Sequence, residues 1–230
     1  MEKPLYPLKN MRITQGYGEG THIDSFAIDD AGKDTGIENV FAPFTGTIKK
    51  IYQNDANEVW LESIDKVEYS DGTIDYMTMM FAHSNNVSHL KVGQIINKGT
   101  PFYSEGTKGN ATGNHCHFEC GRGKFEGSGW HKNSKGYWII NNSKNPQECL
   151  WIDETITIIN NNNYNFKKIE TEVIASPKED NQDNNKDANK NNPENSSTTI
   201  QDKEPKLIFT CQKDDIYAIR LKKNQKLFIK

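Results

Sequence analysis

The chain has 230 residues, 34% of them hydrophobic and 10% aromatic, enough to bury a core for one ordinary domain with an appendage. No apolar run approaches the ~20 residues that a membrane-spanning helix needs, which excludes a helical membrane protein. The formal net charge of -3 is unevenly spread, with 17 Lys and Arg against 22 Asp and Glu in residues 1–175 and 7 against 2 in residues 206–230, so the body offers no broad basic face for nucleic acid.

Residues 1–10 lack the apolar stretch of a signal peptide, and the expectation is a protein that reaches its target by another route. Residues 12–15 read as a short strand entering a turn with glycines at 16, 18 and 20, with Tyr17 inside it and His22 directly after. In residues 25–29 alternation puts Phe26 and Ile28 on a core-facing side and Asp29 on the other, where His22 beside it makes Asp29 a candidate ligand. Residues 40–48 read as two short strands broken at Pro43 and Gly46. Residues 48–52, 59–64 and 76–81 supply further strands, with Asp71 and Gly72 at a hairpin turn and His83 just past the last of them. An antiparallel meander is the expected arrangement.

Residues 92–101 repeat the pattern of short strand and glycine turn and lead to His115-Cys116-His117-Phe118-Glu119-Cys120. Side chains two apart on a strand share a face, so His115, His117 and Glu119 would border a polar groove while Cys116, Phe118 and Cys120 point inward. A His-x-His strand suits a zinc site, proton transfer, or one of each. His22 and His83, also at ends of expected strands, strengthen that reading. His89 and His131 have no such company and read as surface residues. The four cysteines, 116, 120, 149 and 211, show no Cys-x-x-Cys spacing, so neither a disulfide scaffold nor a zinc knuckle is expected.

Residues 122–144 read as a long loop, and Pro146 suits the first position of a single helical turn. Residues 155–159 are a β-branched strand, with residues 166–173 pairing back to close the first compact unit. Between residues 176 and 205 only Ala188 and Ile200 are apolar, which marks a disordered Asn, Asp and Lys linker spanning roughly 30 Å by random-coil scaling. Residues 206–230 read as a small basic module of three strands. The expected organisation is therefore a body over 1–152, a β-rich extension over 153–175, the linker over 176–205 and the basic module over 206–230.

Gly16-Tyr17-Gly18, His22 with Ala27-Ile28-Asp29, Val40-Phe41-Ala42-Pro43 followed by Gly46-Thr47, then His83, Val92-Gly93-Gln94 and Thr112-Gly113-Asn114-His115-Cys116-His117-Phe118-Glu119 occur in the order and style of one family's blocks. Over about residues 11–151 the chain resembles the lysostaphin-like (LytM-type) zinc metallopeptidases. The resemblance implies a mainly β fold with an antiparallel sheet groove of the duplicated hybrid motif type. It also implies zinc (Zn2+) as cofactor, His22, Asp29 and His117 as its ligands, and His115 and His83 as the catalytic pair. His115 is placed for the acid and base work, His83 would share it or donate to the developing oxyanion, and Tyr17 is a candidate second oxyanion donor. One departure stands out: the family's aspartate follows its histidine by four residues, whereas Asp29 follows His22 by seven, which implies a bulge or longer loop. Asp24 and Asp30 are the alternative carboxylates.

The implied activity is hydrolysis of a peptide bond, in a cross-bridge or stem peptide, of bacterial peptidoglycan. With the linker and basic tail this suggests a phage endolysin or related lytic protein, released from the host cytoplasm to a Gram-positive wall or carried on the virion. The tail, at +5, would bind anionic wall polymers. The competing expectation is an inactive wall-binding or tail-scaffolding module whose altered spacing has lost the zinc site.

Overall fold

The computed structural model describes residues 1–53 and 55–170, which are mainly β. The linker and the basic module expected over 176–205 and 206–230 lie outside the described residues.

The centre is a nine-stranded sheet: β1 (Asn10–Gln15), β2 (Ile28–Asp30), β3 (Gly46–Tyr52), β4 (Glu58–Ser63), β5 (Met77–Ala82), β6 (Ile95–Ile96), β7 (Cys116–Arg122), β8 (Ser143–Lys144) and β9 (Thr157–Asn160). In space the strands run β9-β1-β2-β7-β5-β4-β3-β6, with β8 paired to the far end of β7. All pairings are antiparallel except β9 with β1. The expected simple meander is thus corrected. It holds for β3, β4 and β5, but β7, remote in sequence, lies between β2 and β5. Its apolar side explains the placement: Cys116, Phe118 and Cys120 are all 0% exposed, and only a central strand lets them bury between Ile28 and Phe81.

The inner face carries the main core, in which Met11, Ile13, Ile28, Ile48, Leu61, Phe81 and Phe118 meet. On the opposite face Trp60, Met80 and Ala82 form a smaller cluster with Ile140, covered by Phe125 and Trp130. That cover corrects the loop expected over residues 122–144, which contains a two-stranded hairpin, Trp130–Lys132 with Trp138–Ile140. Its signal was weak because most of its side chains face solvent, so no hydrophobic alternation marks it. The segment 25–27 is a second correction: it is not strand, and Phe26 is exposed rather than core-facing while Ala27 is buried.

Pro146–Cys149 is a one-turn helix, with Asn145 capping it by accepting from the Gln147 backbone N–H at 3.0 Å. Trp151–Ile152 then runs parallel to Lys167–Lys168, so residues 167–168 pair there rather than back on the strand before them. Trp151 also forms a parallel bridge with Leu5, and its N–H donates to Pro4 O at 2.7 Å.

Candidate metal centre

The register of the sheet builds the site. His117 on β7 lies directly opposite Asp29 on β2 and, on its other side, opposite Ala82 on β5. His83 follows β5 immediately, and His115 precedes β7, tied by backbone hydrogen bonds to Gly106. His22 closes a 3-10 turn, Gly20–His22, whose N–H bonds to Glu19 O at 2.7 Å. Residues 23–27, with Ile23 and Phe26 exposed and Ala27 buried, connect His22 to β2 without regular structure.

One ligand atom from each of His22, Asp29 and His117 lies within 4.8 Å of the others. His22 Nε2 is 3.4 Å from Asp29 Oδ1, and His117 Nδ1 is 2.9 Å from the same oxygen. Two donors bound at about 2.0–2.1 Å to one tetrahedral ion lie about 3.4 Å apart, which is the His22–Asp29 spacing, while His117 and Asp29 stand closer, at hydrogen-bonding distance. Two imidazoles and a carboxylate also leave a fourth position free, as catalytic zinc requires. The two alternative carboxylates are engaged elsewhere. Asp24 accepts from Lys135 Nζ at 2.6 Å, and Asp30 accepts from Tyr6 Oη at 2.5 Å and from the Gly32 N–H at 2.8 Å.

Burial, with the neighbouring His117, lowers the pKa of His22, which favours the neutral ligand form. Burial would raise Asp29, but the hydrogen bond and charge of His117, with His22 and His115, outweigh it and keep the carboxylate ionised. His117 is pushed up to about 10: burial opposes its charge, but hydrogen bonds to Asp29 and Glu119 prevail.

The outer pair is organised differently. His115 Nδ1 sits 2.8 Å from Gly113 O and His83 Nδ1 2.7 Å from Lys108 O. A carbonyl can only accept, so each Nδ1 carries a proton, and in the neutral ring Nε2 is the nitrogen left with a lone pair. His115 Nε2 is 3.7 Å from Asp29 Oδ1, and the two outer rings are 4.6 Å apart. Burial lowers His83 to about 4, so it is neutral near pH 7. His83 has φ +83°, a left-handed conformation costly for a side chain with a Cβ. It is pinned by its N–H to Ala56 O at 2.7 Å and by the Lys108 N–H to its own carbonyl at 3.0 Å.

Tyr17 has partners of its own. Its hydroxyl accepts from Asn145 Nδ2 at 3.1 Å and Gln147 Nε2 at 2.5 Å, and its ring stacks on Tyr164 and meets Phe26 edge-on. These contacts anchor the first loop. Sequence reasoning missed the tie across the site's rim from Lys135, on the hairpin, to Asp24, just after His22, because nothing local pairs residues 111 positions apart.

The site and the fold together describe a β-sheet protein with a His/Asp/His group that could hold a metal ion, flanked by two further histidines. No family model matches the chain. It is similar to Morphogenesis protein 1 of Bacillus phage B103, with 31% identity over 125 residues, 53% of this chain and 33% of that protein. The chain thus spans about a third of the length of this curated relative. Solved structures similar to it are M23 and lysostaphin peptidases. The catalytic domain of the prophage-encoded M23 protein EnpA from Enterococcus faecalis, in a mutant form, matches at TM-score 0.42 and 19% identity over 63% of this chain and 94% of that one. Lysostaphin from Staphylococcus simulans matches at TM-score 0.41 and 19% identity over 59% and 65%. A zinc-containing peptidase from Vibrio cholerae matches at 0.40 and 19% over 53% and 37%.

Proposed function

We propose that this chain is a zinc-dependent endopeptidase that hydrolyses a peptide bond of bacterial peptidoglycan. The observation that carries the reading is the convergence of His22 Nε2, Asp29 Oδ1 and His117 Nδ1 beside two histidines that commit Nδ1, and not Nε2, to a backbone carbonyl. Bound there, zinc would supply Lewis acidity toward the scissile carbonyl and lower the pKa of a water toward ~7.

The chain's own residues do the rest. His115 Nε2, held by the bond from Nδ1–H to Gly113 O, takes a proton from the attacking water and returns it to the leaving amide nitrogen. His83 Nε2 is a proton acceptor in the same space. Its low pKa and its Nδ1 bond to Lys108 disfavour the oxyanion-donor role, which would require its protonated form. Tyr17, expected as a second oxyanion donor, supports the loop that presents His22. The resemblance to a phage morphogenesis protein favours a phage-borne enzyme carried by the virion over one released freely from the cytoplasm. Residues 206–230 are proposed to hold it on anionic wall polymers.

The test is zinc content together with turnover. Purified protein should carry close to one zinc per chain, lose hydrolysis of isolated peptidoglycan on chelation and regain it with zinc, and mass spectrometry of the fragments should identify the bond. A chain that binds no zinc, or whose His117→Ala variant hydrolyses the wall as well as the parent, would refute the reading and favour the inactive wall-binding module.

A further inference from the structure

One buried charged side chain beside the site has no task in this scheme. Glu119 is 3% exposed and sits on β7 two residues beyond His117, on the same face. Its Oε1 is 3.5 Å from His117 Nε2, while Oε2 is buried with no hydrogen-bond partner among the described residues. Its neighbour across the β5 pairing is Met80, part of the small apolar cluster. A carboxylate so placed loses hydration and regains little of it, and packing alone would favour an apolar residue there.

The two histidine ligands differ in a way that gives Glu119 a role. His22 presents Nε2 to Asp29, but His117 presents Nδ1. A neutral imidazole that offers Nδ1 as a ligand carries its proton on Nε2, and that N–H needs an acceptor. Glu119 Oε1 is the group facing it. We propose that Glu119 is the positioning residue of the metal centre: by accepting the Nε2–H of His117 it fixes the ring's tautomer and rotation so that the Nδ1 lone pair faces the ion shared with His22 and Asp29. Ligating histidines are generally held in this way by a carboxylate or carbonyl, and losing the partner costs 10–100-fold in metal affinity. The inference rests on the zinc reading of the site.

The experiment is a competition titration with a fluorescent zinc chelator on the full chain and on Glu119→Met, which keeps the side chain's length but removes the acceptor, accompanied by long-range 1H–15N spectra of the histidine rings. Glu119→Met should bind zinc 10–100-fold more weakly, while its metal-free form unfolds at a temperature close to the parent's. In the zinc-loaded parent the His117 ring should show a protonated Nε2, strongly deshielded and slow to exchange, and this signal should move upfield and exchange faster in Glu119→Met. Parent protein that binds zinc, with equal affinity in the variant, would overturn the role of Glu119 alone. A parent that binds no zinc would overturn the zinc reading and this inference with it. Should the variant fail to fold, the parent's spectrum decides: an unprotonated His117 Nε2 in the zinc form rules the assignment out.

Discussion

His115 and His83 each commit Nδ1 to a backbone carbonyl, whereas His117 turns Nδ1 to Asp29, and the division of labour proposed above between proton carriers and metal holders follows that difference. His115→Ala is therefore expected to retain zinc and to lose 10²–10⁴-fold in kcat, the usual value of a positioned acid-base group; zinc content and hydrolysis rate measured on the same preparation check it. His117→Ala removes the central donor and should leave the protein without stoichiometric zinc, by the same metal analysis. Much of this was legible in the sequence, because a period of two puts His115, His117 and Glu119 on one face whatever the fold. Which carboxylate completes the set was not legible from spacing, since Asp24, Asp29 and Asp30 all follow His22 closely. The tertiary contacts separate them, with Asp24 drawn to Lys135 and Asp30 to Tyr6.

At the level of elements, the central placement of β7 couples the core to the site, because Phe118 buries on one face while His117 and Glu119 work on the other. Phe118→Ala is expected to cost about 3–5 kcal/mol, read as a lower midpoint in denaturant unfolding, and to weaken zinc retention as the strand loosens. A subtler coupling runs through Gly106. A Cβ there would collide with the His83 carbonyl oxygen and approach the Asn85 backbone nitrogen to 2.6 Å. Gly106→Ala should displace His83, disturb the backbone pair with His115 and lower kcat at least about tenfold, with a smaller effect on zinc content, because the contacts of Gly106 run to His83, Asn85 and His115 rather than to His22, Asp29 or His117. The strands were readable from alternation and glycine turns. Their order was not, because inserting β7 between β2 and β5 depends on which apolar faces fit together, a non-local property. Residues 130–140 escaped detection for the opposite reason: as an exposed hairpin they carry little apolar pattern.

For the molecule as a whole, a buried acid sets a pH dependence. Glu105 is fully buried, and its pKa is raised to about 7, chiefly by burial, with Asp30 and Glu38 adding to it against the hydrogen bond from the Glu38 N–H. The folded state therefore holds its proton where the unfolded chain, at the ordinary value of 4.5, has lost it. Between those two values the native state binds more protons, so this group makes stability fall as pH rises from about 4.5 to about 7 and leaves it lower above that. Glu105→Gln should flatten the decline and raise stability at pH 8 by on the order of 2–3 kcal/mol, measured by urea unfolding across that range. Deleting residues 176–230 should leave zinc binding intact and weaken sedimentation with purified walls; undiminished sedimentation would remove the proposed role of the basic tail.

Trp151 lies between two partners that belong to opposite limits of the described body, Leu5 on one side and Lys167 on the other. Entry and exit of the polypeptide are thus stitched to a single short strand. A body arranged in this way can be spliced into a larger architecture as a cassette, leaving through the same doorway by which it came in, without stretching or reshaping its interior.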